Sequence, residues 1–406
     1  MRILLLQESN WIERGPHQQH HLMERLRLKN HEITVIDYDI LWTKKNLRSL
    51  WKPTEYITVA GKVAKEATIR LVRPAILQLG LMCYLSIPFT HGYAMLKETK
   101  RARPDLILSF GILNGFVGKN ISKLFGIPFV CYLIDHLHTL LPLKAGVPIA
   151  RCLEKDVIRS SQKVFVINNG LKEYAISMGA DSSNVVVIPG GVDYQRYLMA
   201  SSKRNETRAM YGIPDDAYVI FFMGWIYHFS GVKEVASALS RWNGRFKFMF
   251  MVVGDGDAYP DLLEMKAKTN MHNLILLGKQ PFDRIPELLA AADICILPAY
   301  RDAPEMQNIV PIKLYEYLAA GKPVVSTRIP GVVKEFGFYS GIFYVSSPEE
   351  VLPKCASLIE KMDLQKEGES IALASSKFDW KEIVERFEDE LEAICRKAAP
   401  NKLQSS

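Results

Sequence analysis

The sequence predicts an α/β protein built from two doubly wound, Rossmann-like domains facing a cleft. Three observations predict it. Short apolar runs alternate with helical patterns along the whole length, as in a parallel sheet covered by helices on both faces. The runs fall into two successive passes separated by a polar stretch. At 406 residues the chain exceeds one ordinary hydrophobic core and suits two domains of roughly 150 to 200 residues.

The first pass places strands at 3–6, 33–36, 106–109, 129–133, 164–167 and 185–188. The opening Met1-Arg2-Ile3-Leu4-Leu5-Leu6 has too short an apolar run for a signal peptide and reads as a buried strand. The second pass places strands at 219–223, 247–253, 274–277, 294–297, 323–326 and 342–345. Between the passes, 193–215 is polar and charged, and Ser201-Ser202-Lys203-Arg204-Asn205-Glu206 reads as its linker. The domains are therefore set at 1–196 and 197–379. A final helix, about 380–398, follows from Ile383, Phe387, Leu391 and Ile394 at helical spacing. Two such sheets would turn their carboxyl ends toward one cleft, where ligands of doubly wound folds bind.

Charge is unevenly spread: residues 1–190 carry +10 and the remainder −3. Lys44, Lys45, Arg48, Lys52, Lys62, Lys65, Arg70 and Arg73 are interleaved with Trp42, Leu47, Leu50 and Trp51, a mixture suited to a helix lying on anionic lipid. No nucleic-acid motif accompanies this charge, so nucleic acid is excluded as a partner. The apolar stretch near 75–89 is too short to span a bilayer. Six cysteines without CxxC or Cys/His ligand spacing indicate neither a zinc site nor a disulfide framework, and fit a reducing cytoplasm.

The most informative segment is Asn308 to Val325, which reads as loop, helix, turn and strand. Pro311 sets φ for a first helical turn, and Gly321 with Pro323 supplies the stop. Free N–H groups of a helix start attract phosphate, while Lys313 and Glu316 fall one turn apart on one face. A cation can meet a diphosphate there, and a carboxylate can accept from ribose hydroxyls.

With these residues the chain resembles the retaining GT-B glycosyltransferases of family 4 over nearly its full length. Ile188-Pro189-Gly190-Gly191-Val192-Asp193, Val252-Val253-Gly254-Asp255-Gly256, the run from Leu277-Gly278 through Ala292-Asp293, and Pro311 through Val324 carry the resemblance in order. Phe378-Asp379-Trp380 resembles the opening of that family's terminal helix, which packs back onto the first domain. The resemblance implies hexosyl transfer from a nucleotide diphosphate sugar to a lipid-linked or polysaccharide acceptor, with anomeric retention and no required metal. Asp37-Tyr38-Asp39 and Asp255-Gly256-Asp257 are accordingly not read as metal ligands. A cytoplasmic protein in peripheral contact with the inner membrane face is expected.

On the same basis Glu316 would hold the donor ribose, and Lys313 with the N–H groups of Ile309 and Val310 the phosphates. Asn308 stands where the family's other glutamate does. Gly15, Gly224, Gly254 and Gln280 fall in motifs that approach the donor, and Asp135 and His136, with His138, near its sugar. Where the family has an Arg and a Lys beside the diphosphate, this chain has Trp225 and Ser230, so Lys233 or Arg301 is expected to supply the missing charge. The alternatives are a noncatalytic sugar-nucleotide or glycan-binding protein, a transferase using a polyprenyl phosphate sugar, and an epimerase or phosphorylase, since fold alone does not set function. His17, His20 and His21, at helical spacing, could face the acceptor and are read rather as partly exposed polar residues.

Overall fold

The computed structural model describes residues 1–13, 16–39, 50–79, 83–140, 146–303, 306–307 and 310–402. The chain divides into two compact units, Met1–Pro189 with Ile383–Ser406 and Gly190–Glu382.

The strands of the first unit are β1 Arg2–Leu6, β2 Glu32–Ile36, β3 Trp51–Lys52, β4 Glu55–Ala60, β5 Thr68–Arg73, β6 Ile76–Leu77, β7 Leu106–Ser109, β8 Phe129–Leu133, β9 Lys163–Val166 and β10 Val185–Val187. Its sheet runs β10-β9-β8-β7-β1-β2-β5-β4, parallel except for the antiparallel edge pair β4–β5. Central strands β1, β7 and β8 are apolar and buried on both faces, as the helices on either side require. The terminal helix Trp380–Lys402 contributes Phe387, whose ring packs edge-on against Phe165 at 4.9 Å within this unit.

The second unit has β11 Ala217–Met223, β12 Lys247–Val253, β13 Leu274–Leu276, β14 Ile294–Leu297, β15 Val324–Thr327 and β16 Ile342–Val345. They form a wholly parallel sheet in the order β13-β12-β11-β14-β15-β16. The order reverses between β11 and β14, so the loop after β11 borders the topological switch point and the loop after β12 lies beside it. The core divides between the sheet faces: Phe221, Met251 and Leu314 pack on one, Phe222, Phe250 and Leu262 on the other.

Two sequence expectations are corrected here. Residues 50–73 are strands and turns, not a basic amphipathic helix, and much of their charge is used internally. Arg73 is buried and donates to Asp37 at 2.7 Å, Arg70 pairs with Glu98 at 3.1 Å, and Lys52 with Asp39 at 2.9 Å. Trp42, Lys44, Lys45, Leu47 and Arg48 lie outside the described residues. The supposed linker is helical, over Tyr194–Ala200 and Arg204–Met210. Arg204 caps the carbonyl of Ala292 at 2.7 Å, and Arg208 pairs with Asp293, so this polar stretch is anchored to the second unit.

Candidate nucleotide-sugar site

The helix Ile312–Ala319 begins after Pro311, whose φ of −63° and ψ of 130° make it the residue before the helix and not its first turn. The apolar residues Leu314, Tyr317 and Leu318 bury one side of this helix, and the Tyr317 hydroxyl accepts the N–H of Met223 at 2.9 Å. That contact ties the helix to the end of β11. Lys313 and Glu316, one turn apart, then line a pocket of about 450 Å³ in the second unit.

The pocket floor is main chain. Gly224 and Gly254, directly after β11 and β12, have φ of +119° and +136°, conformations that favour glycine. A Cβ on Gly254 would stand 2.0 Å from the Gly224 carbonyl oxygen, and one on Gly224 would stand 2.7 Å from Lys313 Nζ. The Lys313 ammonium sits 4.1 Å from the Phe222 ring centroid, in cation–π contact, with no hydrogen-bond or ion-pair partner among the described residues. Burial lowers its pKa to about 8, opposed by the negative charge of Glu316. Burial raises the Glu316 pKa, opposed by the Tyr197 hydroxyl, which donates to Oε1 at 2.5 Å, and by Lys313.

The remaining wall combines Trp225, Asp255, Lys279, Gln280, Phe282 and Ile285. Gln280 is steadied by donating to the Leu277 carbonyl at 2.6 Å. Trp225 is 53% exposed and points its indole N–H toward Asp257 at 3.4 Å, whereas Ser230 is buried and does not line the pocket. Lys233 pairs with Asp261 at 2.7 Å, and Arg301 with Asp302 at 3.2 Å. Neither is among the described residues lining this pocket; the second lysine on its wall is Lys279, exposed and without an ion-pair partner among the described residues. Its position directly after Gly278 was the available signal. Val310 packs on the core and is not a lining residue, while Gly15, Asn308 and Ile309 lie outside the described residues.

In the first unit, Asp135 caps the N–H of His136 at 2.7 Å, and the His136 ring lies 4.2 Å from that of Tyr174. Burial lowers the His136 pKa. His138 bonds Glu154 at 2.6 Å, with Tyr174 donating to the same carboxylate at 2.9 Å. His20 is buried, facing the Trp11 carbonyl and accepting the His17 N–H at 3.1 Å, so it is a structural helix-start residue and not a partly exposed one. Asp37 accepts from Arg73, Gln7 and the Trp11 N–H; Asp255 caps Gly256. One His/Glu grouping, His31 with Glu388 and Glu392, occurs among the described residues, but the Met1 amine and Lys29 already engage it.

A larger cavity of about 690 Å³ in the second unit is lined by Arg204, Lys322 and Asp293. Its cations are committed: Lys322 donates to the Ala292 carbonyl at 2.8 Å and Arg204 pairs with Asp293, leaving no free charge for a phosphate.

Two Rossmann-like domains, the second with a glycine-floored pocket beside a Lys/Glu helix, define a GT-B protein. Residues 18–196 match the family model described as Glycosyltransferase Family 4, and 217–361 that described as Glycosyl transferases group 1. The chain belongs to this family of GT-B glycosyltransferases. It is 23% identical over 246 residues to the UDP-Gal:alpha-D-GlcNAc-diphosphoundecaprenol alpha-1,3-galactosyltransferase of Escherichia coli, covering 59% of this chain and 61% of that protein. It is 27% identical over 271 residues to a D-inositol 3-phosphate glycosyltransferase of Salinispora arenicola, covering 60% and 58%. The chain thus spans about three fifths of the length of these relatives. Among solved structures, Anabaena HepE in complex with UDP superposes with a TM-score of 0.71 at 16% identity, covering 97% of this chain and 100% of that one. HepE with UDP-glucose gives 0.66 at 18%, covering 97% and 100%.

Proposed function

We propose that the protein is a retaining glycosyltransferase moving a hexosyl group from a nucleoside diphosphate sugar to a lipid-linked or polysaccharide acceptor. The observation that carries this reading is the Lys313–Glu316 pair, a cation and a carboxylate one turn apart on a pocket whose floor is bare backbone. Lys313 meets the diphosphate, Glu316 accepts from the ribose hydroxyls, and the base lies toward Gln280, Phe282 and Ile285. The UDP carried by HepE and the diphosphoundecaprenol acceptor named for the Escherichia coli relative support it.

In this mechanism the acceptor hydroxyl attacks the anomeric carbon from the face the diphosphate leaves. The bond from that carbon to the phosphate oxygen breaks with its electron pair, and the same oxygen takes the hydroxyl proton. Positioning and fixed positive charge supply the acceleration, and the reading calls for no metal. Titration with UDP-, GDP-, ADP-, CDP- and dTDP-sugars is expected to give saturable binding for one nucleotide class, and transfer to a polyprenyl-linked glycan a product of unchanged anomeric configuration. No binding across the panel overturns the reading; an inverted product overturns retention. The neutral Trp225 at the pocket edge favours a second reading, a sugar-nucleotide-binding protein without transfer or a donor with one phosphate. Robust transfer from a diphosphate sugar removes it.

No described helix is long and apolar enough to cross a membrane. For peripheral contact, the helix Cys83–Ala102 offers Leu85, Phe89 and Tyr93 at successive turns, 67%, 78% and 69% exposed, followed by Lys97, Lys100 and Arg101. Its sole carboxylate, Glu98, is buried and paired with Arg70 and Arg101, so the outer face is apolar and cationic, suited to anionic lipid at a cytoplasmic surface. Co-sedimentation with phosphatidylglycerol vesicles is expected at low salt, weakening as salt rises. The Leu85→Ser, Phe89→Ser, Tyr93→Ser triple variant should lose it; a wild-type protein that ignores such vesicles sinks the assignment.

A further inference from the structure

The helix Tyr194–Ala200 follows directly on the segment entering the second unit, and its start is fixed by the Tyr194 N–H donating to Asp379 at 3.1 Å. This presentation drives the Tyr197 ring into the core, only 3% exposed, with its hydroxyl 2.5 Å from Glu316 Oε1. The other oxygen, Oε2, has no partner among the described residues, and Glu316 lines the pocket. A carboxylate oxygen offers two lone-pair sites, so Oε1 keeps one acceptor position beside the tyrosine bond while Oε2 keeps both. An unrestrained glutamate would sample several rotamers; one oxygen pinned from behind leaves it a single presentation.

We propose that Tyr197 is a positioning residue that fixes the Glu316 carboxylate and turns its free oxygen toward the donor ribose. The proposal rests on the reading of Glu316 as the ribose acceptor. It adds a second role. Glu316 is buried, and burial favours its neutral form, which would offer the ribose a donor where an acceptor is needed. The Tyr197 hydroxyl supports the ionised form. Its own pKa is raised well above the ordinary value by burial and by Glu316, so it stays a donor across the working pH range. The other charged groups facing Glu316 are Lys313 on its own helix, which favours ionisation, Arg196 on the Tyr197 helix, which does the same, and Asp193, which opposes it.

The test is Tyr197→Phe, which keeps the ring and its packing. Isothermal titration with whichever of UDP, GDP and ADP binds the wild type should show roughly tenfold weaker binding at neutral pH, the size expected for one hydrogen bond to a charged group. The acid limb of the binding profile should move to higher pH, and KM for the donor should rise with kcat nearly held. In a Glu316→Ala background, which removes the acceptor altogether, Tyr197→Phe should add little to the residual affinity. If Tyr197→Phe leaves affinity and acid limb unchanged while Glu316→Ala loses binding, Tyr197 does not position the site. Equal penalties with and without Glu316 mark a packing role and overturn the proposal as well. If Glu316→Ala itself binds normally, the underlying assignment of Glu316 fails instead.

Discussion

Glu316→Ala is expected to weaken nucleotide-sugar binding by about 2 to 3 kcal/mol, roughly 30- to 150-fold, because charge-assisted hydrogen bonds to two ribose hydroxyls have no substitute nearby. The described pocket holds one other carboxylate, Asp255, whose Oδ1 already caps the Gly256 N–H at 2.8 Å. The fold should survive. Glu316 resists ionisation in its buried position, so its loss relieves that penalty even as it leaves the Tyr197 hydroxyl unpaired. Calorimetric titration with circular dichroism checks both halves, and normal affinity in a folded variant would remove Glu316 from the site.

Lys313→Ala should affect turnover more, by about 3 kcal/mol or on the order of a hundredfold, since fixed positive charge at a departing phosphate acts mainly in the transition state. Stability should move the other way or stay level. A lysine whose folded pKa is lowered from 10.5 to about 8 leaves the native state short of protons between those values. Its destabilising contribution is therefore fully present below pH 8 and fades as pH rises from 8 toward 10.5. Removing Lys313 at neutral pH should leave the melting temperature equal or higher while activity collapses. In the wild type, nucleoside diphosphate binding should decline as pH rises through about 8, where the free ammonium discharges, and Lys313→Arg should carry that limb to higher pH. A concurrent fall in stability and activity would instead mark Lys313 as structural.

Lys313 and Glu316 were legible because helical spacing alone places them on one face, and the central strands because unbroken apolar runs admit little else. The edge pair β4–β5 was not. The exposure of β4 alternates residue by residue whereas β5 is mostly buried, and the lysines and arginines around them imitate a basic surface helix until Asp37, Asp39 and Glu98 are seen to accept them. The same holds for Arg204 and Arg208: a polar string looks like a linker when the carbonyls and carboxylate it binds lie some 85 residues away in sequence. Lys279 and Tyr197 reach the site through loop placement and a tertiary hydrogen bond, neither of which has a local periodicity.

The bare-backbone floor also constrains how the site can diversify. Because a Cβ on Gly254 would meet the Gly224 carbonyl and one on Gly224 the Lys313 ammonium, any side chain added there displaces main chain or that cation. Under the proposed function, changes of donor preference would therefore enter through the rim, at Trp225, Lys279, Gln280 and Phe282, whose side chains are solvent-accessible in part, with Gln280 held by the Leu277 carbonyl. A combinatorial library aimed at altered sugar-nucleotide choice should be spent on those four positions, with both glycines held invariant.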